Sequence, residues 1–354
     1  MAQQLVVGTR GSALAVTRTR VVVEALNQIL ADDDFSPLEI QTLSVNGALP
    51  NKLSNTVNNN SATGDNSGAI VTTSLRSALA SRHIDLAVHS ATDLPNTKCN
   101  GSHIISMPWR ASTHDTLCSI HEWTLDTLPK GATIGTNSPR RAAQVRAYRN
   151  DLQIKPIYGD VERRLSFLTT PPKGEKPVDA IIVAEAELQS LGTVQKEILD
   201  YVSQVIPYCI MLPDPGQGAL ALEVRNPETE DDANPQYQAL IGALEKINDP
   251  GTLLAVTAER AMVEALEANS STPVAGYAWH QPSSAGVLLM HAEVFTPEGR
   301  RIDTLGDIRL PAPEWNGRSR CGWGITQEMS DAAKSLGTAL ADDLYSQGYE
   351  APRS

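Results

Sequence analysis

The chain has 354 residues, 41% of them hydrophobic, a net charge of −12 and four cysteines. That length supports two or three domains with ordinary cores, and no apolar run approaches the ~20 residues that a bilayer-spanning helix needs. The acidic balance disfavours nucleic acid and anionic membranes as partners, so an anionic ligand has to be held by a local cationic cluster working against the overall field.

The opening MAQQLVVGTRGS lacks a basic-then-apolar leader pattern, and a cytoplasmic location is expected. QLVVGTRGSALAVTRTRVVVEALNQIL predicts a strand, a Gly-flanked turn and a helix with Leu14, Val21, Val22, Leu26 and Ile29 on its apolar stripe. LEIQTLSV is the next strand, which makes a β-α-β unit. Residues 50–68 are rich in Asn, Ser and Gly and are expected to form a mobile loop. AIVTTSLRSALASRHI then predicts a helix, and IDLAVHS a buried strand that runs into ATDLPNT.

The strand-turn-helix pattern restarts at GATIGTNSPRRAAQVRAYR and repeats at LQIKPIYGDVERRLSFL and VDAIIVAEAELQSLG. LPDPGQGALALEVR is a strand-like return with hinge residues Pro213 and Pro215, and PETEDDANPQ has the composition of a linker. The remainder alternates helices (TLLAVTAERAMVEALEA, MSDAAKSLGTALADDLYSQ) with hairpin strands, giving two α/β units and a smaller α+β unit. Cys99, Cys118, Cys209 and Cys321 show no CxxC spacing, so buried thiols are expected rather than a metal site or a disulfide framework.

Three polar turns lead from strands into helices: GTRGS, GTNSPRR and YGDVERR. Helix N-termini favour carboxylate or phosphate, and guanidinium forks match carboxylates in a bidentate way. Arg10, Arg140, Arg141, Arg163 and Arg164 lie on these turns, with Ser12 and Ser138 as further donors. Each arginine alone is compatible with a solvated surface role; three such turns at strand ends point to an anion cleft. Asp93, just beyond DLAVHS, is placed to transfer protons or to oppose a cation, the alternative being a turn-capping role; His89 and Ser90 stand nearby.

The segments GTRGSALA, IDLAVHSATDLP, GTNSPRRAAQ, YGDVERRL, LPDPGQGALALEVR and VTAERAMVEALEANSSTPVAGYA resemble, in order and over nearly the whole chain, the signature segments of the porphobilinogen deaminase (hydroxymethylbilane synthase) family. The resemblance implies two periplasmic-binding-protein-like α/β domains around a cleft plus a smaller α+β C-terminal domain. The corresponding bounds are 1–106 with 211–235, then 107–210, then 236–354. It implies a cysteine in the third domain bearing dipyrromethane, to which four porphobilinogen units are added with loss of ammonia. It also implies a catalytic role for Asp93, opposite a developing azafulvenium cation, and substrate contacts from Arg10, Ser12, Ser138, Arg140, Arg141, Arg164 and Gln217.

Other positions depart from the family's pattern. Thr92 replaces a lysine and Tyr158 and Ser190 replace arginines, with Thr92 and Tyr158 still expected to contact substrate, and Ser67 and Ile70 replace a lysine and a phenylalanine of a lid. Ser270, in ALEANSSTPVAGYA, stands where the family has its cofactor-bearing cysteine, and a serine hydroxyl is a far weaker nucleophile than a thiolate. From these departures the expectation is a monomer without dipyrromethane, repurposed for acid/base or cation-stabilised chemistry on a small pyrrole or other carboxylate- or carbonyl-bearing molecule. An authentic synthase with an unusual anchor and a non-catalytic binding protein are the alternatives.

Overall fold

The structure, a computed structural model, describes residues 4–31, 35–43, 67–95, 100–226, 234–281, 286–311 and 325–351. Residues 50–66 of the Asn-rich segment, most of the linker-like run at 227–236, Cys99, Cys321 and the side chains of Ser67 and Ile70 lie outside the described residues. In chain order the elements begin with β1 (Val6–Arg10), α1 (Ala13–Leu30), β2 (Glu39–Leu43), α2 (Ser67–Ala80), β3 (Leu86–Ser90) and β4 (Ser102–Ser106). They continue with β5 (Asp115–Cys118), β6 (Thr133–Gly135), α3 (Pro139–Tyr148), β7 (Gln153–Lys155), α4 (Val161–Ser166), β8 (Ala180–Ala184), α5 (Glu185–Gly192) and β9 (Val202–Ile206). The last are β10 (Leu220–Arg225), α6 (Pro235–Ile247), α7 (Pro250–Ala265), β11 (Val274–Gln281), β12 (Val287–Phe295), β13 (Arg301–Arg309) and α8 (Gln327–Ser346).

The chain divides into two compact units, the first formed by the described residues of Met1–Arg110, Ala219–Leu253 and Ala312–Gln327. Its sheet has the order β2-β1-β3-β10-β4, with β1 parallel to β2 and β3, and β10 antiparallel to β3 and β4. Helix α1 puts Val22, Val23, Leu26 and Leu30 on one face, the spacing of a helical apolar stripe, and buries them against Leu5, Val7, Leu86 and Val88. Tyr237, Leu240, Ala243, Leu244 and Ile247 of α6 close the same core. Val71, Leu75 and Leu79 of α2 form a second core with Leu43, Ile84 and Ala87.

The second unit comprises the described residues of Ala111–Gly218, Leu254–Pro311 and Glu328–Ser354. Its larger sheet repeats the first in plan: order β7-β6-β8-β5-β9, with β6 parallel to β7 and β8, and β5 antiparallel to β8 and β9. β8 is buried along its length, which accounts for its unbroken apolar run AIIVA. The smaller sheet is the antiparallel meander β11-β12-β13, accompanied by α7 and α8. A Cβ on Gly337 of α8 would lie 2.1 Å from the Ala258 carbonyl oxygen of α7, so only glycine allows these two backbones to approach so closely. Stacked rings run from the larger sheet to the smaller: His114 on Tyr208 at 3.9 Å between centroids, Tyr208 on Tyr277 at 4.8 Å, and Tyr277 near Trp279 at 5.4 Å.

The fold is therefore α/β, two mixed sheets with flanking helices plus a smaller α+β portion, as the sequence pattern and the resemblance led us to expect. Among the described residues no helix is long and apolar enough to cross a membrane, and no cluster of three or more potential metal ligands occurs.

Candidate functional site

In the first unit the parallel pairing of β1 and β3 sets two of the expected residues side by side. Arg10 is the last residue of β1, and Asp93 ends the single 3₁₀ turn that follows β3. Because the strands run parallel, with Gly8 opposite Ala87, both reach the same sheet edge. The Arg10 guanidinium stands 3.6 Å from the Asp93 carboxylate, and both side chains are a little over one-third exposed. Thr72 of α2 donates to the Asp93 carbonyl at 3.2 Å, fixing the turn from the other side. Ser12 caps α1 by accepting the Ala15 N–H at 3.3 Å, so its hydroxyl serves the helix and borders the same edge. Thr92 is exposed and its hydroxyl is 2.9 Å from that of Ser90.

His89 is not at the edge. It points into the sheet, where its Nε2 is 2.9 Å from the Glu223 carboxylate, a buried group that also receives Arg76 at 2.9 Å and Ser102 at 2.6 Å. Burial pushes the Glu223 carboxyl up. The hydrogen bonds from His89 and Ser102 and the charges of His89 and Arg76 outweigh it and bring the pKa down to about 2.

In the second unit the turn after β6 delivers Ser138 as the cap of α3, where it accepts the Arg141 N–H at 3.3 Å. Arg140 and Arg141 follow at once, but their guanidinium groups turn inward. Arg140 donates to Asp115 at 2.7 Å and to the Leu212 carbonyl at 2.8 Å. Arg141 reaches the other Asp115 oxygen through Nη2 at 2.8 Å and Nε at 3.1 Å. Gln217 completes the cluster, donating to Asp115 at 3.2 Å and to the Thr113 carbonyl at 2.8 Å, and accepting from Arg140 at 3.2 Å. Burial alone would raise the Asp115 carboxyl; the two guanidinium charges beside it outweigh burial and hold it below the ordinary carboxylate range. Asp115 is thus the centre around which three of the expected residues are organised.

Gln217 arrives on a turn that requires glycine. Gly218 has φ +81°, and a Cβ there would sit 2.5 Å from the Ala111 carbonyl oxygen. Arg164 on α4 pairs with Glu187 of α5 at 3.0 Å, and its Nε is buried without a hydrogen-bond partner among the described residues. Tyr158, after β7, is 48% exposed. The Ser190 hydroxyl donates to the Ala186 carbonyl at 2.6 Å. Arg163 is exposed.

The loop that follows α7 is ordered by its own side chains. Asn269 Oδ1 accepts both the N–H and the hydroxyl of Ser271, at 2.9 and 2.6 Å, and Thr272 Oγ1 accepts the Asn269 N–H at 3.0 Å. Ser270 is exposed at its tip. Of the described cysteines, Cys118 is buried in β5 with its thiol pushed up to about 12 by burial, and Cys209 is exposed in the turn after β9. Neither belongs to the 269–272 loop, whose only candidate nucleophiles are hydroxyls.

Sequence reasoning missed Asp115, Glu223 and Glu259. The first two are single carboxylates inside strands β5 and β10, and the arginines facing Asp115 lie 25 and 26 residues away. A charged residue within a short apolar run was the available signal.

Residues 5–233 match the family model described as porphobilinogen deaminase, dipyromethane cofactor binding domain. Residues 253–345 match porphobilinogen deaminase, C-terminal domain. A porphobilinogen deaminase of Leifsonia xyli subsp. xyli is 37% identical over 97% of this chain and 92% of its own length. One from Thermus thermophilus is 33% identical over 97% of this chain and 96% of its own length. Among solved structures, a nutrient binding protein from Burkholderia cenocepacia bound to methionine matches with a TM-score of 0.38 at 12% identity, covering 73% of this chain and 94% of that one.

The match over 5–233 overturns the expectation that dipyrromethane is absent. That expectation equated loss of one sulfur with loss of the group. The matched cofactor-binding region ends at residue 233, and Ser270 lies within the match to the C-terminal domain.

Proposed function

Because the chain belongs to the porphobilinogen deaminase family, we propose that it condenses porphobilinogen-type pyrroles head to tail with loss of ammonia. The observation that carries this reading is the Arg10–Asp93 pair, at 3.6 Å on the edge where β1 and β3 end. In each condensation the C–N bond of the aminomethyl group breaks and ammonia leaves. A C–C bond then forms to the α-carbon of the next pyrrole, which gives up its proton. Asp93 opposes the cation that develops as ammonia departs and accepts the displaced proton. Arg10, 3.6 Å away, orients that carboxylate.

The residues present in the first unit fit a dipyrromethane held through its carboxylates, with Arg10 as the cation and Ser12 beside it at the same edge. A thioether does not fit position 270, where the side chain is a hydroxyl. When bound, dipyrromethane supplies the pyrrole carbon on which a chain is started. Ionic and hydrogen-bonding contacts therefore take over the holding that a covalent sulfur link performs in the family.

Purified protein incubated with porphobilinogen is expected to release ammonia and form a linear tetrapyrrole, and Asp93→Asn to lower kcat by about 10²–10⁴-fold. Mass spectrometry under native and denaturing conditions decides the attachment: a dipyrrole increment present natively and lost on denaturation supports this reading. Folded protein that releases no ammonia from porphobilinogen refutes it.

A second reading, a different reaction on a smaller or less anionic pyrrole, is favoured by the exposed Tyr158 and by Ser190, which bring no cationic fork. Each missing charge-assisted contact weakens carboxylate binding by about 1.5–3 kcal/mol. Product analysis separates the two readings: turnover of a monocarboxylate pyrrole in preference to porphobilinogen selects the second.

A further inference from the structure

Two distant backbone segments end on one buried carboxylate. Glu259 of α7 is fully buried; its Oε2 accepts the Gly216 N–H at 2.6 Å and its Oε1 accepts the Ala278 N–H at 2.8 Å. A carboxylate taken out of water is costly unless its oxygens find donors, and charge-assisted bonds are the strong kind. Gly216 belongs to the turn that carries Gln217 to Asp115 and Arg140. Ala278 belongs to β11, the strand into which the Ser270 loop leads. A second tie, from the Gly276 N–H to the Pro213 carbonyl at 3.0 Å, joins the same two segments.

Resting on the family reading of the site, we propose that Glu259 is a positioning residue that holds the Gln217 turn and the strand behind the Ser270 loop in one register. Two acceptor oxygens are required. A glutamine turns an –NH₂ group towards one of the two N–H donors, and an aspartate is one methylene too short to reach both. Displacing the turn moves Gln217 off Asp115 and loosens the Arg140 and Arg141 cluster beneath Ser138; displacing the strand moves the loop at Ser270.

Amide hydrogen exchange tests this without reference to turnover. In the wild-type protein the Gln217 N–H, bonded to the Asp214 carbonyl, and the Thr272 N–H, bonded to the Asn269 carbonyl, are expected to share one protection level and one urea dependence. In Glu259→Gln and Glu259→Asp both are expected to exchange about tenfold faster, while the Val16 N–H at the head of α1, bonded to the Ser12 carbonyl, is unchanged. In the same variants kcat with porphobilinogen should fall about tenfold, with KM within about threefold of wild type. Acceleration of only one segment, equal acceleration at Val16, or full kcat with both segments loosened overturns the proposal; where a variant does not fold, unequal wild-type protection at Gln217 and Thr272 does so. Wild-type protein without turnover refutes the family reading alone, and the exchange pattern still decides the role of Glu259.

Discussion

Asp115 illustrates how one side chain can outweigh the residues that the eye picks first. Its two oxygens hold Arg140 and Arg141, both almost fully buried. Asp115→Ala leaves two buried guanidinium groups without the carboxylate they hydrogen-bond, and removal of one partner from such a cluster costs about 3–5 kcal/mol. A urea midpoint that falls accordingly checks this; an unchanged midpoint means the arginines are solvated in solution. Glu223 gives a pH signature. With a folded pKa of about 2, below the ordinary carboxylate value, it contributes stability that is present above about pH 4.5 and is lost as the pH falls towards 2. Glu223→Gln is therefore expected to be less stable than wild type at pH 7, with the gap closing between pH 4.5 and 2 in denaturation curves. The site was legible in part at this scale. Arg10, Ser12, Asp93 and Ser138 lie at strand ends where open α/β sheets expose side chains, and that is a local feature of sequence. The inward turn of Arg140 and Arg141 was not legible, because it depends on a carboxylate that arrives from another strand.

Among elements, the best-read were those whose pattern is self-contained. In helix α1 the expected Val22 and Leu26 are buried, but Val21 is 47% exposed and Val23 and Leu30 complete the face; β8, with its unbroken apolar run, needs no knowledge of its neighbours. Strands β4, β5 and β9 went unread, because short strands at sheet edges or beside loops carry few residues and little alternation. Helix α6 went unread as well. Its buried face at Tyr237, Leu240, Ala243, Leu244 and Ile247 has helical spacing but follows a linker-like run, and its partner is the core built around β1 and β3. The α7–α8 contact carries a sharp prediction. Gly337→Ala places a methyl group within 2.1 Å of backbone, which cannot give way as a side chain would, so the helices must separate. The cost is expected to be about 1–3 kcal/mol, the usual range for overpacking, and thermal unfolding measures it. An unshifted Tm means that the helices stand further apart than described.

The whole molecule sets the field in which the site works. A net charge of −12 repels a carboxylate-bearing substrate until it comes within reach of the arginines. Raising ionic strength from 0.01 to 0.15 M shortens the screening length from about 30 to about 8 Å, and removes the long-range repulsion before the short-range pairs are weakened. kcat/KM with porphobilinogen is therefore expected to rise over that range; a fall means that attraction by the local cations reaches further than the overall charge. Fold class was the most legible property of the chain, since alternating strand and helix periods survive wide changes in detail. The fate of the dipyrromethane was the least legible, because it was inferred from one atom.

The ring stack from His114 through Tyr208 and Tyr277 to Trp279 ties the C-terminal meander to the larger sheet beside it. Chromophores at such separations share their electronic transitions, so light absorbed by the phenol rings emerges as indole emission and the near-ultraviolet dichroism is coupled. Tyr277 and Trp279 share β11, so the contact that reports docking of the two sheets is Tyr208 on Tyr277, whose loss would change the near-ultraviolet dichroism.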